Sequence, residues 1–317
     1  MNTVRRRPEH LRVVSDARVG RAAPVSGANE LPRRVLVSAV GIPLALLVVQ
    51  AGGWVLAAAA GLLAAGGCLE ICRLAERRQV RPFTLAACAA AAAFPLIAAA
   101  TPAVEAAAPR MWGLALLLLM AGAIAAVWLR GPHGQPLEAV AVTLMASVFT
   151  GGSLAFAIFL RHFPVRPIYN DGTAALALFP LVLAWTGDSA AYLAGRTVGR
   201  MRLTRVSPGK TWEGAAAGLA ACMLAGWLYA ALALPPGAGI TPWTGTAAGA
   251  LVFAAGLGGD LAKSAWKREA GVKDSGRVFP GHGGVLDRMD STFYALPIVY
   301  LFAVVAAALL GWPAGAG

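Results

Sequence analysis

Residues 249–268 read GALVFAAGLGGDLAKSAWKR, an apolar run that passes without a break into charge. Asp260, Lys263, Ser264, Lys267 and Arg268 fall at i, i+3, i+4, i+7 and i+8, one continuous face of a helix. That face opens with a carboxylate at membrane depth and climbs into cations at the water boundary. The rest of the chain carries the same message. Of 317 residues, 58% are hydrophobic, and the mean hydropathy of +0.66 is far above that of an ordinary soluble domain. Apolar runs of about 20 residues, enough helix to cross a bilayer, recur along it. We predict nine, at roughly 35–52, 54–72, 83–101, 111–129, 137–160, 173–195, 212–234, 242–262 and 290–312. Abundant Ala and Gly suit close helix packing in lipid. The fold class is all-α, a polytopic membrane protein; the thin run 54–72 alternatively reads as re-entrant.

Basic residues in the loops set the orientation. With a cytoplasmic N-terminus, the tail and loops 73–82, 130–136, 196–210 and 263–289 hold 24 of the 27 Lys and Arg. Only Arg110, Arg161 and Arg166 remain on the other side, which places the C-terminus outside. Residues 1–34 read as a disordered, basic cytoplasmic tail. Residues 35–170 form N-terminal membrane helices, and 171–317 a C-terminal catalytic part. The first apolar run begins too late for a signal peptide and reads as a retained span. A net charge of +12 raises nucleic acid as a partner, but the cations flank membrane spans, where anionic headgroups attract them equally well. Nucleic acid is therefore excluded. Cys68, Cys72, Cys88 and Cys222 all fall inside spans; Cys68 and Cys72, four apart, read as small packing residues and not as a metal pair.

The strip from 260 to 290, DLAKSAWKREAGVKDSGRVFPGHGGVLDRMD, holds 11 charged residues in 31 positions. Charge in hydrocarbon is costly, so the strip borders water or lines a polar cavity. Lys263 reads either as a snorkelling side chain or as a member of the functional face, but Asp260 at the apolar edge needs a partner. Asp287 and Asp290, three apart, share a face at the start of the ninth span, where the helix dipole also favours acids. Three hard oxygen ligands from two helix ends make an Mg²⁺ site, with phosphate and water completing the shell. Between them, Gly281, His282, Gly283 and Gly284 describe a loop whose backbone N–H groups face phosphate. His282 reads as a base, a phosphate donor or a structural residue.

Span six places Asp188, Tyr192, Gly195 and Arg196 on one face, and the depth of Asp188 points to a buried pair or an ion site. Ser207-Pro208-Gly209-Lys210-Thr211 follows a basic loop. Its Gly-Lys-Thr is no P-loop, because Thr204 stands where that motif needs Gly and no strand precedes it. Ser207 and Thr211 are candidate helix caps with Pro208 in a first turn, and Lys210 faces the acidic site.

The pattern Ser264-x-x-Lys267-Arg268-x4-Lys273-Asp274-x-Gly276-x2-Phe279-Pro280-x-His282-Gly283-Gly284-x2-Asp287-Arg288-x-Asp290 resembles the signature of the phosphatidate cytidylyltransferases, or CDP-diacylglycerol synthases. Trp185-x-x-Asp188 and Ser207-Pro208-x-Lys210-Thr211-x-Glu213-Gly214 resemble further segments of that family. The likeness covers roughly 185–290. Trp266 departs from it, standing where the family carries an aliphatic residue or Phe, and reads as a packing change. The resemblance implies transfer of CMP from CTP to phosphatidate with release of pyrophosphate. It further implies a homodimer in a bacterial-type inner membrane, Mg²⁺ and a second, monovalent cation such as K⁺. By that analogy Asp260, Asp287 and Asp290, with Asp188, are metal-site acids.

This chemistry needs little beyond positioning and charge stabilisation. Ser264, Lys267, Arg268 and Lys273 are assigned to CTP phosphates, Lys210 and Arg288 to the phosphatidate headgroup. Ser207, Gly283 and Gly284 join the substrate-binding set, and Asp274 and His282 the catalytic one. A CTP-dependent polyprenol or phytol kinase is the nearest alternative; its alcohol acceptor wants a general base such as His282 or Asp274. An ion-coupled transporter would spread its carboxylates along several spans at midplane depth, whereas these cluster at helix ends.

Overall fold

In the computed structural model, residues 30–164, 172–276 and 284–309 are described, with side chains from residue 41 onward except at 172 and 236. Among them lie ten α-helical segments. They are α1 (Glu30–Ala51), α2 (Gly53–Glu76), α3 (Thr84–Ala100), α4 (Val104–Leu129), α5 (Pro136–Ser147), α6 (Ser153–Arg161), α7 (Gly172–Thr197), α8 (Trp212–Leu232), α9 (Pro242–Glu269) and α10 (Val285–Leu309). A π-helical stretch, Val148–Gly152, joins α5 and α6 into one rod, so the ten segments make nine rods. Seven are long and apolar enough to cross a membrane, while Gly41–Ala51 and Thr84–Ala100 are shorter apolar helices. The chain is an integral, multi-pass membrane protein.

The boundaries shift in ways that matter. The thin run 54–72 is the 24-residue α2, and more than half of its most apolar stretch is buried, so it is a central rod. Of the basic tail, residues 1–29 lie outside the described residues, and Glu30 to Arg34 already belong to α1. The last span begins at Val285 and not at 290, which puts Asp287 and Asp290 inside its first two turns. The eighth extends to Glu269, so one unbroken helix carries Asp260, Lys263 and Lys267.

Small residues let the rods approach. A Cβ on Gly226 would strike the Gly245 carbonyl, and one on Gly249 the Cys222 carbonyl, so α8 and α9 cross backbone to backbone as lipid-embedded helices favour. Phe253 of α9 fills the space left by Gly187 on α7 and Gly218 on α8. The four cysteines are unpaired, with Cys68, Cys72 and Cys222 buried in this packing. Thr143 and Thr150 return their hydroxyls to carbonyls four residues back, at 2.7 and 2.8 Å, the usual way such groups are satisfied in apolar surroundings. At the π stretch, Phe149 meets Trp266, Phe293 and Tyr294 with ring centroids 5.2–5.7 Å apart. α4 lies at the periphery, only about a tenth buried over its most apolar stretch, with Trp112 and Trp128 exposed on it.

Candidate active site

Four elements converge at one end of the bundle. α9 supplies Asp260, Lys263 and Lys267 from successive turns, α10 supplies Asp287, Asp290 and Ser291, and α7 supplies Asp188. The segment before α8 brings Lys210. Leu203 N–H donates to the Lys210 carbonyl at 2.8 Å, and Lys210 N–H to the Ser207 carbonyl at 3.1 Å, folding that segment back on itself. Thr211, not Ser207, caps α8, its hydroxyl accepting from Gly214 N–H at 3.1 Å. A Cβ on Gly214 would press into the Ala191 carbonyl at 2.7 Å. Close seating of α8 on α7 therefore carries Lys210 across to α9.

Lys263 is the hub. Its ammonium lies 3.0 Å from Asp260 Oδ1, 3.3 Å from Asp287 Oδ1 and in direct contact with Asp290 Oδ2. Lys210 reaches Asp260 Oδ2 at 2.7 Å, and Lys267 reaches Asp287 Oδ1 at 2.7 Å. Three lysines thus balance three aspartates. A buried charge without a partner is expensive, so each group holds the others in place. Asp188 stands apart, accepting from the Ser291 hydroxyl at 2.7 Å. A cavity of about 450 Å³ opens beside the cluster, lined by Asp188, Asp260, Asp290, Lys210, Tyr192 and Arg196 among others. That volume lies within the range of small-molecule sites.

Of the residues expected in the site, Asp188, Lys210, Asp260, Lys267, Asp287 and Asp290 come together. Ser264 is half-buried on α9 and makes no side-chain hydrogen bond among the described residues. Arg268, Lys273, Asp274 and Arg288 are exposed. Gly284 is buried against the carboxylate of Glu70, which occupies the space a Cβ would need. His282 and Gly283 lie outside the described residues. Trp266 packs edge-on against Phe149 at 5.7 Å, in keeping with a packing role.

Sequence reasoning missed the hub. Lys263 reads as a snorkelling side chain, yet it is 5% exposed; its position three residues after Asp260 was the available signal. Ser291, Ser275 and Glu70 were also missed. Glu70 is a lone acid near the end of an apolar run, which was a signal of its own.

The donor set suits a divalent cation in kind, since carboxylates are hard oxygen ligands. Among the described residues no three acidic, His or Cys side chains form a metal cluster of their own; the aspartates close on the Lys263 ammonium. Asp287 is the most committed, with Oδ1 on Lys267 and Lys263 and Oδ2 on the N–H and hydroxyl of Ser275. Asp260 and Asp290 border the cavity. Two carboxylates with substrate phosphates are how Mg²⁺ is usually held, so this pair fits one.

A chamber of balanced acids and ammonium groups, set where membrane helices end, has the chemistry to meet polyanions at a lipid surface. The profile of the cytidylyltransferase family matches residues 32–306, and the chain belongs to that family; it is a nucleotidyltransferase. It is similar to the phosphatidate cytidylyltransferase of Synechocystis sp., at 31% identity over 299 residues, 86% of this chain and 96% of that one. It is 37% identical to the Haemophilus influenzae phosphatidate cytidylyltransferase over 194 residues, 60% of this chain and 65% of the relative. It is also 31% identical to the chloroplastic phosphatidate cytidylyltransferase 4 of Arabidopsis thaliana over 304 residues, 90% of this chain and 76% of the relative.

Proposed function

We infer that the chain is a phosphatidate cytidylyltransferase, joining CTP and phosphatidate into CDP-diacylglycerol and pyrophosphate in phospholipid biosynthesis. The observation that carries this is the cavity where Asp260, Asp290 and Lys210 meet at the end of a lipid-embedded bundle. A phosphate oxygen of phosphatidate attacks the α-phosphorus of CTP, the bond from that phosphorus to the β-phosphate bridge breaks, and pyrophosphate leaves with the electron pair. The nucleophile is already ionised at neutral pH, so no strong general base is required. The protein's part is to hold two polyanions in line and to meet the charge on the departing pyrophosphate.

Lys263 sits among three carboxylates and Lys210 against Asp260, and both can turn towards phosphate oxygens. Lys267, Arg268 and Lys273 extend the cationic rim for the triphosphate, with Ser264 beside them and Arg288 facing the lipid headgroup. Asp260 and Asp290 are the residues to hold a divalent cation, Mg²⁺ by expectation, which when bound supplies Lewis-acid charge to the phosphates. Asp287 organises Lys267 and Ser275, and Asp188 is the further acid for a monovalent cation such as K⁺. The bias of basic residues puts this end of the bundle in the cytoplasm, where CTP is, in an inner membrane of bacterial type. A homodimer completes the reading; a monomeric mass in nanodiscs would remove that part.

The test is purified protein in detergent with CTP, phosphatidate and Mg²⁺, scored by pyrophosphate release and CDP-lipid formation. Wild-type protein that makes neither product overturns the reading. Undiminished turnover in Asp290→Asn overturns the assignment of Asp290.

A further inference from the structure

Glu70 is an acid on α2, more than 180 residues before the signature strip, and its side chain is 0% exposed. Among the described residues no Lys or Arg pairs with it. Its oxygens go to the backbone of the strip instead. Oε1 accepts from Val285 N–H at 2.8 Å and Oε2 from Leu286 N–H at 2.9 Å. These are the first amides of α10, which have no acceptor within their own helix, and a carboxylate there also meets the positive end of the helix dipole. The Ser275 hydroxyl lies 2.8 Å from Glu70 Oε2 and 2.9 Å from Asp287 Oδ2, and Ser275 N–H donates to the same Asp287 oxygen at 3.1 Å.

The packing is cut to receive this side chain. A Cβ at Gly276 or at Gly284 would collide with the Glu70 carboxylate. One turn earlier on α2, a Cβ at Gly66 would press on Val285 at 3.0 Å and one at Gly67 on Phe293 at 3.3 Å. α2 therefore rides directly on the start of α10, with Glu70 delivered to its amides.

We propose that Glu70 is a positioning residue for cytidylyl transfer. Its carboxylate fastens the chain on both sides of residues 277–283, at Ser275–Gly276 and at Gly284–Leu286, and thereby sets the first turns of α10 that carry Asp287 and Asp290. Glu70 touches no substrate; it acts through the placement of those two aspartates. The inference rests on the cytidylyltransferase reading for its consequence, though not for the clasp itself.

The test joins hydrogen exchange to kinetics on the full chain in nanodiscs. Glu70→Ala is expected to speed exchange at Val285 and Leu286 by about tenfold, the effect of a lost buried hydrogen bond, with the amides of α7 and α8 unchanged. Its kcat should fall on the order of 100-fold, the scale of a misplacement of about 1 Å, with KM for CTP within about threefold. Glu70→Gln keeps one carbonyl for an amide and an NH₂ for Ser275 Oγ, so kcat should recover to about a tenth of wild type. Unchanged exchange at Val285 and Leu286 overturns the proposal, as does equal acceleration throughout the bundle or a Glu70→Ala kcat within about twofold of wild type. If wild-type protein fails with CTP and phosphatidate while the local exchange effect appears, the functional reading falls and the clasp stands.

Discussion

The two ends of the bundle use charge in opposite ways. At one end a cation, Arg161, donates to the carbonyls of Val49 and Gln50 at the finish of α1 and to the hydroxyl of Thr173 at the start of α7. Cations suit helix C-termini, and among the described residues Arg161 has no carboxylate to serve. At the other end three lysines and three aspartates lock together, with Glu70 beneath them on the first amides of α10. Both ends tie the N-terminal helices to the C-terminal ones. Among the described residues, the second sets its paired charges beside a cavity. A charged group that satisfies helix ends is architecture; charged groups that satisfy mainly one another are poised to exchange partners with a ligand.

The sharpest way to break this contrast is Lys263→Met. It leaves three carboxylates facing one another, and removing one partner of such a buried set costs about 3–5 kcal/mol of stability. Turnover should fall by about 10³-fold, the upper range for losing one preorganised charge donor; a variant that folds and turns over normally would show that the hub is only structural. Asp287→Asn comes next. It keeps an acceptor for Ser275 but removes the charge that holds Lys267, and kcat should drop on the order of 10²-fold in the same assay. A change confined to KM would move Asp287 from organising the site to binding substrate.

Arg161→Met tests the other end. Loss of its charged hydrogen bonds should lower stability by about 2–3 kcal/mol, seen as an earlier thermal midpoint in detergent, with kcat within about twofold of wild type. A tenfold loss of turnover would erase the division between the ends. The smallest effect belongs to Trp266→Phe, which weakens one aromatic contact worth about 1 kcal/mol. Its turnover should match wild type, and a clear loss would mean that the aromatic cluster at the π stretch steers α9.

The rods were legible because lipid imposes a length and a composition on each of them. The face from Asp260 to Lys267 was legible too, since its members sit one helical turn apart. Glu70 was not, because its partners lie 205 to 216 residues away and no local period records a contact of that range. Lys263 failed for a different reason. A lysine near a helix end looks the same in sequence whether it snorkels to headgroups or turns inward to acids on another helix. Asp287 and Asp290 share the start of α10 as the spacing indicates, but the Ser275 partner of Asp287 depends on a contact twelve residues away that also reaches α2.

One peripheral feature bears on where the molecule can work. Trp112 and Trp128 stand exposed on α4, sixteen residues apart, which in a helix is about 24 Å. Indoles settle at the boundary between hydrocarbon and headgroups, and a typical hydrocarbon layer is about 30 Å thick. The pair therefore gauges a bilayer somewhat thinner than average. In thicker lipid α4 must tilt the less or draw the membrane inward around it, so the acyl chains this enzyme's own pathway installs would feed back on how comfortably it sits.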